Sequence, residues 1–124
     1  MDPRREHVRR LLQVPATVAT EAGDQVWRAQ IIDIARLGVG FVTTEALAAG
    51  TPYVFSFTFP NSSLPCVALV DVVYSCPVGS GANVRNGARF LSISPESQEQ
   101  IVDYVTTGTE AAIAAMADSR TARS

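Results

Sequence analysis

The chain contains no lysine and a single histidine, its two cysteines stand ten positions apart, and none of its apolar runs is long enough to span a bilayer. Each shortage excludes something. His7 lies among arginines near the N-terminus, so a Ser-His-Asp or Cys-His constellation would hang on a terminal residue, and no catalytic residue is expected. Cys66 and Cys76 form no C-x-x-C and have no histidine near them. That excludes a zinc site or a thioredoxin motif and leaves two buried, reduced thiols as the expectation, with neither metal nor cofactor. A membrane helix needs about 20 apolar residues, and the first residues carry charge where a secretory signal needs an apolar run. The sequence therefore predicts a cytoplasmic protein with no membrane insertion.

What is present is a 124-residue chain, 47% hydrophobic, with a formal net charge of -2. That length and balance predict one globular domain and argue against a generally nucleic-acid-coating protein. All ten cations are arginine, and four of them, Arg4, Arg5, Arg9 and Arg10, fall within the segment RREHVRR at 4–10. Codon use in a GC-rich genome accounts for a general lack of lysine but not for this clustering. Arginine presents a planar fork of donors that grips phosphate and base edges through paired hydrogen bonds.

Downstream, QVPATVAT and QVWRAQIIDI are β-branched runs separated by EAGD, the pattern of a hairpin. VGFVT, PYVFSFTF, CVALVDVVYS and ARFLSI continue the series, with FPNSSLP and PVGSGANVRNG read as loops. Ser94 before Pro95 is a favoured helix start, and Ile101, Val102 and Val105 follow at helical spacing. Six strands without intervening helices predict an all-β fold, an antiparallel barrel or sandwich closed by a C-terminal helix. Trp27, Phe41, Phe55, Phe57 and Phe59 lie on strand patterns and are expected to pack the barrel. The reading divides the chain into an arginine-rich arm (1–10), a barrel with its closing helix (11–107) and a helical extension and tail (108–124).

Arg5-x-x-x-Arg9 before the first long strand, followed by Asp33-x-Ala35-x-x-Gly38 at the end of the second, resembles the PilZ domain family, bacterial receptors for cyclic di-GMP. Arg5-Glu6-His7-Val8-Arg9 matches the family's R-x-x-x-R, with Arg4 as an additional arginine, and Asp33-Ile34-Ala35-Arg36-Leu37-Gly38 matches D/N-x-S-x-x-G except that Ala35 replaces the serine. EALAAGTPYVFSFTFP looks like the family's helical turn, glycine and strand, VALVDVVYS like the next strand, and NGARFLSISPESQEQIVDYV like its closing glycine, strand and helix. The similarity runs from about Arg4 to Val105.

The resemblance implies a six-stranded split barrel and a ligand site formed by Arg4, Arg5, Arg9, Asp33, Ala35 and Gly38, with Arg89 on the last strand as a further candidate. The chemistry agrees. Guanine O6 and N7 accept an arginine fork, and its N1 and N2 hydrogens need an acceptor such as Asp33. Gly38 would permit close approach and a positive φ in the loop. Ala35 removes one hydroxyl, worth about 0.5–1.5 kcal/mol. In the family an arginine just before R-x-x-x-R is associated with holding a self-stacked ligand dimer, so Arg4 implies two cyclic di-GMP molecules per chain. The expected protein relays binding through a change of shape to an unidentified protein partner and takes no nucleic acid. The alternative is a PilZ-like interaction module, in pilus or motility control, that has lost the ligand. A single-stranded nucleic-acid barrel is disfavoured by the acidic balance.

Overall fold

The computed structural model describes residues 8–107. Seven strands, β1 (Arg9–Leu11), β2 (Pro15–Thr20), β3 (Val26–Ala35), β4 (Gly38–Thr43), β5 (Pro52–Phe57), β6 (Cys66–Pro77) and β7 (Val84–Ile93), precede one helix, α1, over 95–107. Every pairing is antiparallel. β3 pairs with β2 through its first half and with β4 through its second, closing a six-stranded barrel in the order β3-β2-β5-β6-β7-β4. β1 is the extra strand. It continues the line of β2 along β3, and two bonds bridge the gap: Leu12 N donates to Ile32 O and Ile31 N donates to Val14 O, both at 2.9 Å.

Alternation explains the closure, because successive strand residues point to opposite faces. β5 reads Tyr53, Phe55 and Phe57 inward, and Phe41, Ile31, Val18 and Val70 are fully buried beside them. Phe41, Phe55, Phe57, Phe59 and Tyr104 form a chain of ring contacts 5.0–5.9 Å apart. Each such burial contributes about 1.5–3 kcal/mol. Trp27 is only half-buried and meets Tyr53 edge-on at 5.7 Å.

The hairpin at EAGD forms, with Gly23 at φ 77° and Gly23 N bonded to Thr20 O. Ser94 caps α1: its Oγ accepts from Ser97 N at 3.2 Å while its carbonyl accepts from Gln98 N at 2.9 Å. Ile101 and Val105 then face the core. α1 is tied to β1 as well, since Tyr104 Oη donates to Leu11 O (2.6 Å), Arg10 Nη1 donates to Tyr104 O (2.8 Å), and the Arg10 guanidinium lies 4.0 Å over the Tyr104 ring.

Four expectations are corrected. Cys76 is exposed and only Cys66 is buried, because β6 outruns the core at its C-terminal end. Burial pushes the Cys66 thiol pKa up, partly offset by a hydrogen bond with Ser97. Residues 44–49 form no helical turn: Leu47 N and Ala48 N bond instead to Ser75 Oγ and Tyr53 Oη. The run VRNG, read as loop, is the start of β7. Arg9 and Arg10, read as part of an arm, pair with Ala35 and Ile34 in the sheet. The extension at 108–124 lies outside the described residues, and no helix among those described is long and apolar enough to cross a membrane.

Candidate functional site

Asp33-x-Ala35-x-x-Gly38 covers the end of β3, the two-residue turn at Arg36 and Leu37, and the start of β4, with Ala35 paired to Gly38. Register then carries the motif across the barrel. One row of neighbours runs Arg9 (β1), Ala35 (β3), Gly38 (β4), Arg89 (β7) and Asp71 (β6). A second, two residues along each of β1, β3, β4 and β7, runs Leu11, Asp33, Gly40, Gly87 and Tyr74. Between them Ile34, Val39, Ala88 and Val72 point inward and are buried. Strand alternation thus puts both rows on the outer face, side by side.

Small residues in the middle of these rows make a trough. Its floor is Ala35, Gly38 and Gly87, its rim Arg9, Tyr74 and Arg89, and its volume about 270 Å³. A Cβ on Gly38 would lie 2.5 Å from Ala88 O, and one on Gly87 2.2 Å from the Tyr74 ring. Gly38 is therefore required by close strand approach. It has no positive φ, contrary to the expectation from the motif; among the described glycines only Gly23, Gly50 and Gly79 do.

Charge is concentrated on Asp33. Arg9 Nη1 donates to its Oδ1 at 2.8 Å, and Arg85 Nη2 lies 3.5 Å from its Oδ2; Arg9 is about half exposed, Asp33 much less. Arg89 Nη2 lies 3.2 Å from Asp71 Oδ2. A hydrogen bond with Tyr74, ahead of the nearby Asp33 carboxylate and against partial burial, pushes the Arg85 pKa up. The arrangement offers an acceptor pair, three guanidinium forks, an aromatic wall and a side-chain-poor floor. It suits a planar, anionic ligand.

The structure thus brings Arg9, Asp33, Ala35, Gly38 and Arg89 together. Arg4 and Arg5 lie outside the described residues. Arg36 is exposed and faces a separate groove beside Glu99 and Asp103 of α1. Gly40, Tyr74 and Arg85 carry no signal in the sequence, and Gly87 stands out there only as the closing glycine of NGARF. The signal that finds them is cross-strand register, which a single sequence does not display.

The fold has close counterparts. The Bacillus subtilis inhibitor of motility MotI/DgrA superposes with a TM-score of 0.70 at 13% identity, over 82% of this chain and 49% of that one. This chain therefore spans about half the length of that protein. The PilZ domain of CeSA from a cellulose-synthesizing bacterium gives a TM-score of 0.53 at 17% identity, over 82% of this chain and 97% of that domain. At these identities the likeness is one of fold. No curated protein matches the chain. The PilZ domain profile matches residues 3–107, which includes both motifs and every strand and most of the chain, and the protein therefore belongs to the PilZ domain family.

Proposed function

We propose that this domain is a cyclic di-GMP receptor that binds the dinucleotide in the outer trough and passes the change of shape to a protein partner. The observation that carries this reading is the pair of cross-strand rows, which bring Arg9, Gly38 and Arg89 to one concavity and Asp33 beside them on the same outer face. Asp33 Oδ1 is paired with Arg9 at 2.8 Å. A guanine edge offers Asp33 two N–H donors in exchange and releases the Arg9 fork for phosphate or for O6 and N7. The Tyr74 ring supplies a face for stacking, and Arg89 is the cation at the far end of the trough. Arg4 and Arg5 take their roles from the family motif, Arg4 holding a second, stacked ligand.

Ala35 favours a second reading, an interaction module that has lost the ligand, because the floor of the trough lacks the motif's hydroxyl. Parallel calorimetric titrations with cyclic di-GMP, GTP and a single-stranded oligonucleotide separate the two. The expected result is binding of cyclic di-GMP alone, at two molecules per chain, and its loss in Arg9→Ala and Asp33→Ala with the melting temperature nearly unchanged, since both residues lie outside the core. Ala35→Ser should tighten binding by about threefold to tenfold, as one added neutral hydrogen bond would. Failure of all three ligands to bind the wild type would leave the interaction module standing.

A further inference from the structure

We infer that Arg85 is a positioning residue of this site, holding Asp33 in place while Arg9 exchanges the carboxylate for ligand. The inference rests on the receptor reading above and adds to it a residue that neither motif contains.

Asp33 divides its two oxygens between two arginines of unlike standing. Arg9, on Oδ1, belongs to a three-residue strand at the border of the sheet. Arg85, near Oδ2, belongs to the ten-residue β7, held between β4 and β6. The next residue, Asn86, is fully buried and bonded to Thr43 and Ser75, so the backbone that carries Arg85 is fixed.

Arg85 reaches Asp33 although β4 lies between them. Gly40 makes this possible: a Cβ there would stand 2.6 Å from Asp33 Oδ1 and 3.7 Å from Arg85 Nη2. The same guanidinium has Tyr74 as the leading cause of its raised pKa, and the Tyr74 ring lies on Gly87. Arg85 therefore reaches Asp33 across a position that only glycine leaves open, on the face next to the trough.

The consequence follows from the exchange at Asp33. When Arg9 turns to the ligand, Oδ1 is free to accept one guanine N–H, and Oδ2 keeps Arg85 as its partner on one lone pair while the other accepts the second N–H. The carboxylate retains its plane, and the acceptor is preorganised. Without Arg85, Asp33 would give up its one remaining ion pair at the moment of binding.

The test is calorimetric titration of cyclic di-GMP into the wild type, Arg85→Gln, Arg85→Lys, Tyr74→Phe and the double variant Arg85→Gln/Tyr74→Phe, with thermal denaturation of each. Arg85→Gln should weaken binding about tenfold, and Arg85→Lys should recover part of that loss, because an ammonium keeps the charge but lacks the fork. The double variant should bind no more weakly than Arg85→Gln if the Tyr74 hydroxyl acts on the site through the Arg85 guanidinium. Melting temperatures should stay together. A wild type that binds while Arg85→Gln binds equally well, or loses affinity only in step with its melting temperature, overturns the positioning role and leaves the receptor reading intact. A wild type that does not bind overturns both.

Discussion

Gly40 has no side chain, yet it decides where the Asp33 carboxylate can be. The atom nearest to an added Cβ is Asp33 Oδ1, at 2.6 Å, the end of a side chain that can move aside. Gly40→Ala should therefore leave folding stability within about 1 kcal/mol of wild type. The displaced carboxylate would break from Arg9, and cyclic di-GMP affinity should fall more than about tenfold, the scale of a charge-assisted hydrogen bond. Urea unfolding and calorimetry on the same preparation measure the two effects separately, and unchanged affinity would contradict the role given to Asp33. At this scale the sequence was legible where the chemistry is local. Arg9, Asp33, Ala35 and Gly38 are recognised through their resemblance to the family motifs, whereas Gly40, Tyr74 and Arg85 join the same face only through the pairing of separate strands. Gly38 shows a finer limit: its place in the motif is visible, but the carbonyl of Ala88 that makes glycine necessary is not.

Strands and helix were more readable than the residues that join them. Alternating apolar positions locate β5 and β6, and Ser94-Pro95 marks the start of α1 because capping chemistry is written in adjacent residues. The start of β7 is hidden in the sequence because Asn86-Gly87 carries the composition of a turn. In the fold Asn86 is fully buried: its Nδ2 donates to Thr43 Oγ1 at 2.9 Å and to Val84 O at 3.3 Å, and its Oδ1 accepts from Ser75 Oγ at 2.7 Å. A turn-forming residue serves here as a buried clasp between β4, β6 and β7. Asn86→Leu leaves the Thr43 and Ser75 hydroxyls without this partner and should cost about 2–4 kcal/mol. A urea midpoint within error of wild type would show that the clasp contributes nothing.

Over the whole molecule, the barrel is a frame that turns two short motifs into one surface. The inward row of Ile34, Val39, Ala88 and Val72 fixes the register, and the register delivers Arg9 and Asp33 to the same outer face as Arg89 and Tyr74. The strand that carries Arg9 also carries Arg10, whose guanidinium bonds to α1, so the site and the closing helix share β1. The central claim is that cyclic di-GMP binds on this face, and not in the groove between Phe59 and α1 or on the outer face of β2. Mapping amide shifts in a 15N-labelled sample during titration tests it most directly. The account predicts that the largest changes fall on residues 9–11, 33–40, 74 and 85–89, with residues 15–19 and 59–62 little affected. Shifts concentrated at 59–62 and 100–107, with the amides of Asp33, Gly38 and Gly40 unmoved, would contradict it.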